Sequence, residues 1–359
     1  MNAHAPTTLE RWTTGIFESC GVPRDDAALT AAILVRSEMR GYKTHGMTRV
    51  PSYVERLRTG DFNPRPRLRH SSVPGGIVLD ADGAIGQVAG PHAVRLGLEA
   101  LRASASVMVC VQACGHLGAL GIHALQAAEA GAFCMIGQRT PPVLAMPGFA
   151  RPAIGHNPIA FGCPVPGADP VVFDVACSVA ARGHILMAAQ RGEPIPDGWA
   201  VDQTGTPTTD AERALLGALL PMGNHKGIGI AMMVECLAGA IAASAASLDP
   251  ERNVVRAGGA VGRQGAFVLL VKIEAFCQPA HFAEYMTQWT GAYLAAGGDD
   301  ARLPGQRAAA LERRARADGI ALPATTEREL IELGARLGVP FPAPSLQLAP
   351  SHQALGEIA

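Results

Sequence analysis

Residues 107–131, VMVCVQACGHLGALGIHALQAAEAG, pass from an apolar run through a Gly-rich turn into a helical pattern, the order of the first strand, turn and helix of a dinucleotide-binding domain. That domain needs Gly-x-Gly-x-x-Gly, because its first two glycines make the tight turn and let a pyrophosphate approach the helix N-terminus. Here the glycines fall at Gly115, Gly118 and Gly121, and His116 follows the first of them. An acid is also required about 20 residues on for the ribose. The next apolar run, AFCMIGQRTPP (132–142), instead ends in Gln138, Arg139 and Thr140. The Rossmann reading fails on both counts. What is left is a His between strand and helix, which suits either a catalytic imidazole or a structural cap.

The 359 residues are enough for two or three domains with a sizeable core. Thirty basic and 31 acidic side chains give a net charge of −1, which argues against a nucleic-acid surface; the basic clusters RPRLRH (65–70) and LERRARADG (311–319) are interrupted and read as solvated faces. Cys20, Cys110, Cys114, Cys134, Cys163, Cys177, Cys236 and Cys277 are scattered with no Cys-x-x-Cys pair, as expected of free thiols in a reducing compartment. The first residues show no export signal, so a cytoplasmic location is expected. Residues 227–248 are long and apolar enough to resemble a membrane span, but Glu235 sits in the middle, where lipid would penalise a carboxylate; a buried helix is the better reading.

Residues 8–60 read as helices, with DDAALTAAILVRSEMRG (25–41) stopped by Gly41 and PSYVERLRTG (51–60) opened by Pro51. NPRPRLRHSSVPGG (63–76) reads as a connector, and IVLDADGAIGQVAG (77–90) as a strand and a hairpin-type turn at Asp82-Gly83. Strands at 107–113, 133–137 and 171–175 then alternate with helices, GEPIPDGWAVDQTGTPTTD (192–210) is a long polar loop, GAFVLLVKIEAF (265–276) is a strand, and helices return to the end. No internal repeat is present.

Four stretches join reactive groups to tight backbone. In GYKTHGMTR (41–49), a helix would put His45 and Arg49 on one face, one to exchange a proton and the other to grip a carboxylate; a polar surface turn is the other reading. GHLGALG (115–121) supplies His116. In VVFDVACS (171–178), Asp174 ends a β run before small residues that let a ligand near the backbone, or else caps a helix. In GNHKGIGIAMM (223–233), Lys226 precedes an apolar helix whose N–H groups, with the ammonium, would favour phosphate. No Gly-x-Ser-x-Gly, His-Glu-x-x-His or Asp-rich calcium loop occurs, so neither a hydrolase nor a metal site is expected.

Taken in order with GHNPIAFGCPVP (155–166), IPDGWAVDQTGTPTTD (195–210) and RLPGQR (302–307), these stretches resemble the type-2 malate/L-lactate dehydrogenases, a family that includes sulfolactate, ureidoglycolate and diketogulonate oxidoreductases and cyclic-imine reductases. The resemblance runs from about residue 36 to 310. It implies an α+β multidomain chain: a non-Rossmann nucleotide-binding domain with a mixed or antiparallel sheet, and a helical domain from both chain ends. The expected division is 1–75, 76–300 and 301–359. It also implies NAD or NADP as cofactor, a small carboxylate-bearing substrate, and a homodimer with shared active sites, without a membrane or nucleic-acid partner.

By position, the resemblance makes His45 the proton donor and acceptor and His116 the second active-site His, with Arg49, Thr44 and His156 on the substrate side. Cofactor contacts fall on Thr140, Asp174, Val175, Ala176, Lys226, Pro304, Gly305 and Gln306. Oxidation of a 2-hydroxy acid removes a hydride while the hydroxyl proton leaves to a base, a task suited to an imidazole with a reference pKa of about 6.5. Reduction of a cyclic imine carboxylate (piperideine- or pyrroline-2-carboxylate) is the alternative, and a catalytically silent dinucleotide-binding homologue is the rival of another class. Relatives acting on imines carry a second His where this chain has Leu117.

Several positions depart from the family. Thr44 replaces a Ser, His156 and Cys177 each replace a Thr, His225 precedes Lys226, and the lead-in GAVGRQ (259–264) lacks the usual Asn/Gly-rich character. A cation for the phosphate of NADP would come from Arg139, Arg302 or Arg307.

Overall fold

The computed structural model describes residues 2–149, 151–243, 264–344 and 346–347. The chain forms two compact units, one of Met1–Glu55 with Arg307–Ala359 and one of Arg56–Gln306. The lead-in at 259–263, the end of the apolar segment at 244–248 and the last twelve residues lie outside the described residues.

The first unit is helical. Pro6 opens the helix Pro6–Ser19, where its missing N–H costs nothing, and Asp25 and Asp26 sit in the first turn of Arg24–Met39, where acids favour the helix dipole. Pro6–Ser19 packs against both Arg24–Met39 and Ala324–Leu337, and Leu9, Ile16, Phe17, Leu34, Leu330 and Leu333 of these helices are buried. Two further ties join the chain ends within this unit: the Trp12 indole N–H donates to Val339 O at 3.0 Å, and Asn2–Ala3 pairs with Leu346–Gln347. The Glu312 carboxylate receives Arg36, Arg40 and Arg316 at 3.1, 2.7 and 2.6 Å.

The second unit is built on a seven-stranded sheet in the order Arg69–Val73, Gly76–Asp80, Ser106–Cys114, Gln264–Lys272, Ala132–Gln138, Ile159–Cys163, Val171–Val175. Only the pairing of Gly76–Asp80 with Ser106–Cys114 is parallel in this sheet among the described residues. Gln264–Lys272 lies between two neighbours, which explains its nearly unbroken apolar run. The helices Gly86–Ala100 and Leu120–Glu129 pack on the sheet.

Three local expectations are corrected. The hairpin turn is at Pro74-Gly75, joining Arg69–Val73 to Gly76–Asp80, so five residues of the supposed connector, Arg69–Val73, are a strand. Asp82-Gly83 instead leads into the helix Gly86–Ala100. The polar stretch 192–210 holds the strands Ala200–Val201 and Pro207–Thr208 of a second, five-stranded sheet, joined by a turn in which Asp202 accepts from the Thr204 and Thr206 N–H groups. Turn residues had masked two strands too short to show a period.

Candidate active site

In the first unit, the segment carrying His45 is two 3-10 turns, Lys43–His45 and Met47–Arg49, parted by Gly46. Of the two readings of this stretch, helix or turn, the helix does not hold, and the shared-face argument for His45 and Arg49 goes with it. The break has a local cause. Glu38, only 2% exposed, accepts the Met47 N–H at 2.9 Å and the Lys43 ammonium at 2.8 Å, so one carboxylate holds both sides of the turn. A Cβ on Gly46 would lie 2.2 Å from Glu38 Oε2 and 3.0 Å from its Cα, so only glycine lets the turn come this close. Thr44 Oγ1 meets His45 Nδ1 at 2.9 Å, and Arg49 Nε donates to Thr44 O at 2.6 Å.

In the second unit, His116 follows the strand Ser106–Cys114, whose penultimate residue Ala113 has φ +50°, an uncommon conformation for a side-chain-bearing residue. Within residues 114–120 only His116 is not fully buried. The backbone on either side of it is held by Gln138, 1% exposed: Gln138 Nε2 donates to Gly115 O and Leu117 N–H donates to Gln138 Oε1, both at 2.9 Å. Leu117 O accepts from Gln87 Nε2 at 3.2 Å and lies 2.9 Å from His123 Nε2. Gly86 packs against the His116 carbonyl, where a Cβ would come within 2.0 Å of the oxygen.

Thr140 belongs to a buried polar network. Its N–H donates to Asn157 Oδ1 at 2.8 Å and its hydroxyl meets His156 Nδ1 at 3.1 Å. Asn157 Nδ2 donates to Ala231 O and to Glu235 Oε2, each at 2.9 Å, and Arg139 Nε donates to Glu235 Oε1 at 2.8 Å. Glu235 opens a π-helical stretch, Glu235–Ile241, directly after the helix His225–Val234; π-helical turns are frequent at functional sites. The carboxylate that spoke against a membrane span thus closes a network. Among the described residues no helix is long and apolar enough to cross a membrane. Arg139 is 3% exposed and tied to Glu235, which removes it from the candidate cations for a ribose phosphate; Arg302 and Arg307 are exposed.

Cys177 keeps the hydrogen-bonding capacity of the Thr it replaces: its thiol donates to Asn157 O at 3.3 Å. Its N–H bonds His156 O, and its carbonyl accepts the Met222 N–H at 2.9 Å. That turn leads to Lys226, exposed in the first turn of His225–Val234. The Lys226 and Gly227 N–H groups are spent on Gly223 O and Met222 O, so the expectation of free helix-terminal amides is corrected at these two positions.

Asp174 accepts the Gly121 N–H at 2.7 Å, at the start of Leu120–Glu129. Burial pushes its carboxyl up to about 6, against the lowering effect of that bond. The bond reaches a helix 53 residues earlier in the chain, so Asp174 is not the N-cap of a helix following it. Two strand residues earlier, Val172 N–H donates to Pro304 O at 3.0 Å, and Gln306 Oε1 accepts the Leu303 N–H at 2.8 Å, which ties the Pro304-Gly305-Gln306 turn to the strand carrying Asp174 and Val175.

Hydrogen bonds of the second unit thus connect Thr140, His156, Ala176's neighbour Cys177 and the Lys226 turn in one series, and Pro304–Gln306 with Asp174 in another. His45, Thr44 and Arg49 belong to the first unit. Gln138, Asn157, Glu235 and Glu38 were not singled out from sequence as site residues. The available signal was a polar residue at the end or middle of an apolar run, where burial demands a partner.

The residues fit a dinucleotide in the chemistry they offer: an exposed ammonium suited to a pyrophosphate, and tight turns at Pro304–Gln306 and after Asp174. Comparison with known proteins agrees. The malate/L-lactate dehydrogenase family profile matches residues 5–331. The chain is 33% identical over 329 residues to the (2R)-3-sulfolactate dehydrogenase (NADP(+)) of Chromohalobacter salexigens, covering 89% of this chain and 95% of that protein. It is 34% identical over 309 residues to the Delta(1)-pyrroline-2-carboxylate/Delta(1)-piperideine-2-carboxylate reductase of Pseudomonas aeruginosa, covering 84% and 90%. The solved sulfolactate dehydrogenase from Methanocaldococcus jannaschii superposes with a TM-score of 0.83 at 27% identity, covering 95% of this chain and 98% of that one. The chain belongs to the malate/L-lactate dehydrogenase family.

Proposed function

We propose that this NAD(P)-dependent oxidoreductase interconverts a small 2-hydroxy acid and its 2-oxo acid, with His45 as proton donor and acceptor. The carrying observation is the His45 turn: the imidazole meets the Thr44 hydroxyl through Nδ1 on a backbone that Glu38 holds from both sides. The imidazole exchanges the proton with the substrate oxygen. Arg49 has spent Nε on Thr44 O, so its terminal nitrogens grip the substrate carboxylate. The nicotinamide, when bound, supplies or accepts the hydride. Lys226 holds the pyrophosphate, and Thr140, Asp174, Val175, Ala176 and Pro304–Gln306 line the nucleotide path.

His116 acts as a second active-site His, and His156 lies on the substrate side. The dinucleotide domain is the Arg56–Gln306 unit, without Rossmann topology, and the helical unit is made by both chain ends. The enzyme works as a cytoplasmic homodimer with shared sites; free thiols at all eight cysteines support a reducing compartment.

The hydroxy-acid reading is preferred over imine reduction because Leu117, at the position where imine reductases of the family carry a His, is fully buried and offers no proton. The test is nicotinamide absorbance with NADH and NADPH offered against 2-oxo acids and cyclic imine carboxylates. Turnover of oxo acids, lost by a factor of about 10² or more in His45→Ala, is expected. Turnover of imines alone would establish the other reaction, and cofactor binding without turnover would establish a silent homologue.

A further inference from the structure

The dinucleotide fingerprint asks for an acid near the end of the strand after the turn, and this chain has Gln138 there. Its side chain has a different task. Gln138 ends the strand Ala132–Gln138 and is buried. A primary amide has a donor and an acceptor on one rigid plane, so it can bond two backbone groups of opposite kind at a fixed separation. Gln138 does this with the carbonyl of Gly115 and the N–H of Leu117, the residues immediately before and after His116.

The rest of the surroundings prevent this turn from shifting. Gln87 and His123 contact Leu117 O, Gly86 presses on the His116 carbonyl, and Cys114 Sγ lies 3.6 Å from Gln138 Nε2. Burial from 114 to 120 is interrupted only by the imidazole-bearing residue. A loop needing only to be stable could satisfy its backbone groups with each other. Here three buried polar side chains are committed to one three-residue segment.

We propose that Gln138 is a positioning residue for His116: by holding the backbone on both sides of it, the amide sets the direction in which the imidazole is presented. This rests on the reading of His116 as an active-site residue. A side chain displaced by about 1 Å can lower turnover by as much as about 10²-fold without touching the substrate.

The test uses the full-length enzyme and its fastest 2-oxo acid or imine, with Gln138→Met, which keeps the length but neither hydrogen bond, and Gln138→Glu, which keeps the acceptor for Leu117. Expected are a kcat about tenfold or more lower in Gln138→Met, a Kd for NADPH within about twofold of the parent, and an intermediate kcat in Gln138→Glu. In the double-mutant cycle, Gln138→Met should lower kcat no further once His116→Ala is present. Additive losses, or a Kd that rises as kcat falls, would mean that Gln138 only stabilises the fold.

The imidazole itself is followed by NMR of labelled histidines, its signal assigned by its loss in His116→Ala. The His116 resonance should shift or broaden in Gln138→Met while that of His45 stays. If His116→Ala leaves kcat unchanged, the catalytic reading of His116 falls, and the NMR arm still decides whether Gln138 holds the ring. An unchanged His116 resonance in both Gln138 variants overturns the proposal. Should Gln138→Met not fold, Gln138→Glu carries both measurements.

Discussion

The buried carboxylate of Glu38 accepts the backbone N–H of Met47, two residues beyond His45, and bonds Lys43, two residues before it. A single side chain from the end of one helix thus fixes the entry and exit of the turn that presents the proposed proton donor. Removing it in Glu38→Ala strips a charged acceptor from a buried N–H and should cost about 1–3 kcal/mol, read as a lower urea midpoint. kcat should fall further than stability alone accounts for, with nucleotide affinity kept. Glu38→Gln, which can still accept from Met47, should recover most of the loss. Gly46→Ala drives a methyl into Glu38 and should be the more damaging change.

Glu235 and Arg139 form a largely buried pair in the second unit. Glu235→Ala leaves a buried guanidinium without that carboxylate and takes an acceptor from Asn157; the expected loss is about 3–5 kcal/mol. Replacing both partners, Arg139→Met with Glu235→Leu, should cost less than Glu235→Ala alone. Denaturant titration of the three variants checks the order. A double mutant no more stable than Glu235→Ala would show that the stranded guanidinium does not account for the loss.

Asp174 predicts a pH dependence of definite sign. Folded, it holds its proton to about pH 6, whereas an unfolded aspartate releases it near about 3.9. The native state binds more protons between these values, so the contribution of Asp174 to stability falls as pH rises through that window. Asp174→Asn, whose amide oxygen can still accept the Gly121 N–H, should stabilise the protein near neutral pH by at most about 3 kcal/mol and leave it unchanged near about pH 4. Thermal midpoints of both proteins across that range make the comparison. Equal midpoints throughout would mean the carboxylate is as well solvated in the fold as outside it.

The thiols should separate by burial. Burial pushes Cys114 and Cys134 up to about 12 and Cys177 up to about 11, so all three stay protonated and unreactive in mildly alkaline buffer. Cys236, exposed on the π-helical stretch, should be alkylated first, as peptide mapping would show. Cys177→Thr preserves a donor to Asn157 O and should be tolerated, whereas Cys177→Val should lower the thermal midpoint.

The sequence by itself determined the family, because glycine spacing and the order of the motifs around His45, His116, Asp174 and Lys226 are local patterns that survive without knowledge of contacts. It also lacks the Rossmann fingerprint, and the structure adds a mixed, mostly antiparallel sheet. It misjudged what depends on neighbours distant in the chain. Whether His45 and Arg49 share a helix was open in the sequence and is decided against by the turn that Glu38 holds, and the Lys226 and Gly227 amides, read as free, are bonded by the 222–223 turn. Arg139 appeared available to a phosphate until Glu235, 96 residues on, claimed it. The strands at 69–73 and 200–208 were hidden because a short strand among turn residues has too few positions to show a period. Which polar side chains hold backbone in place was decided only by the tertiary structure. Burial penalises an unpaired polar atom, and the partners of Gln138, Asn157 and Glu235 come from segments that are adjacent in space and remote in sequence.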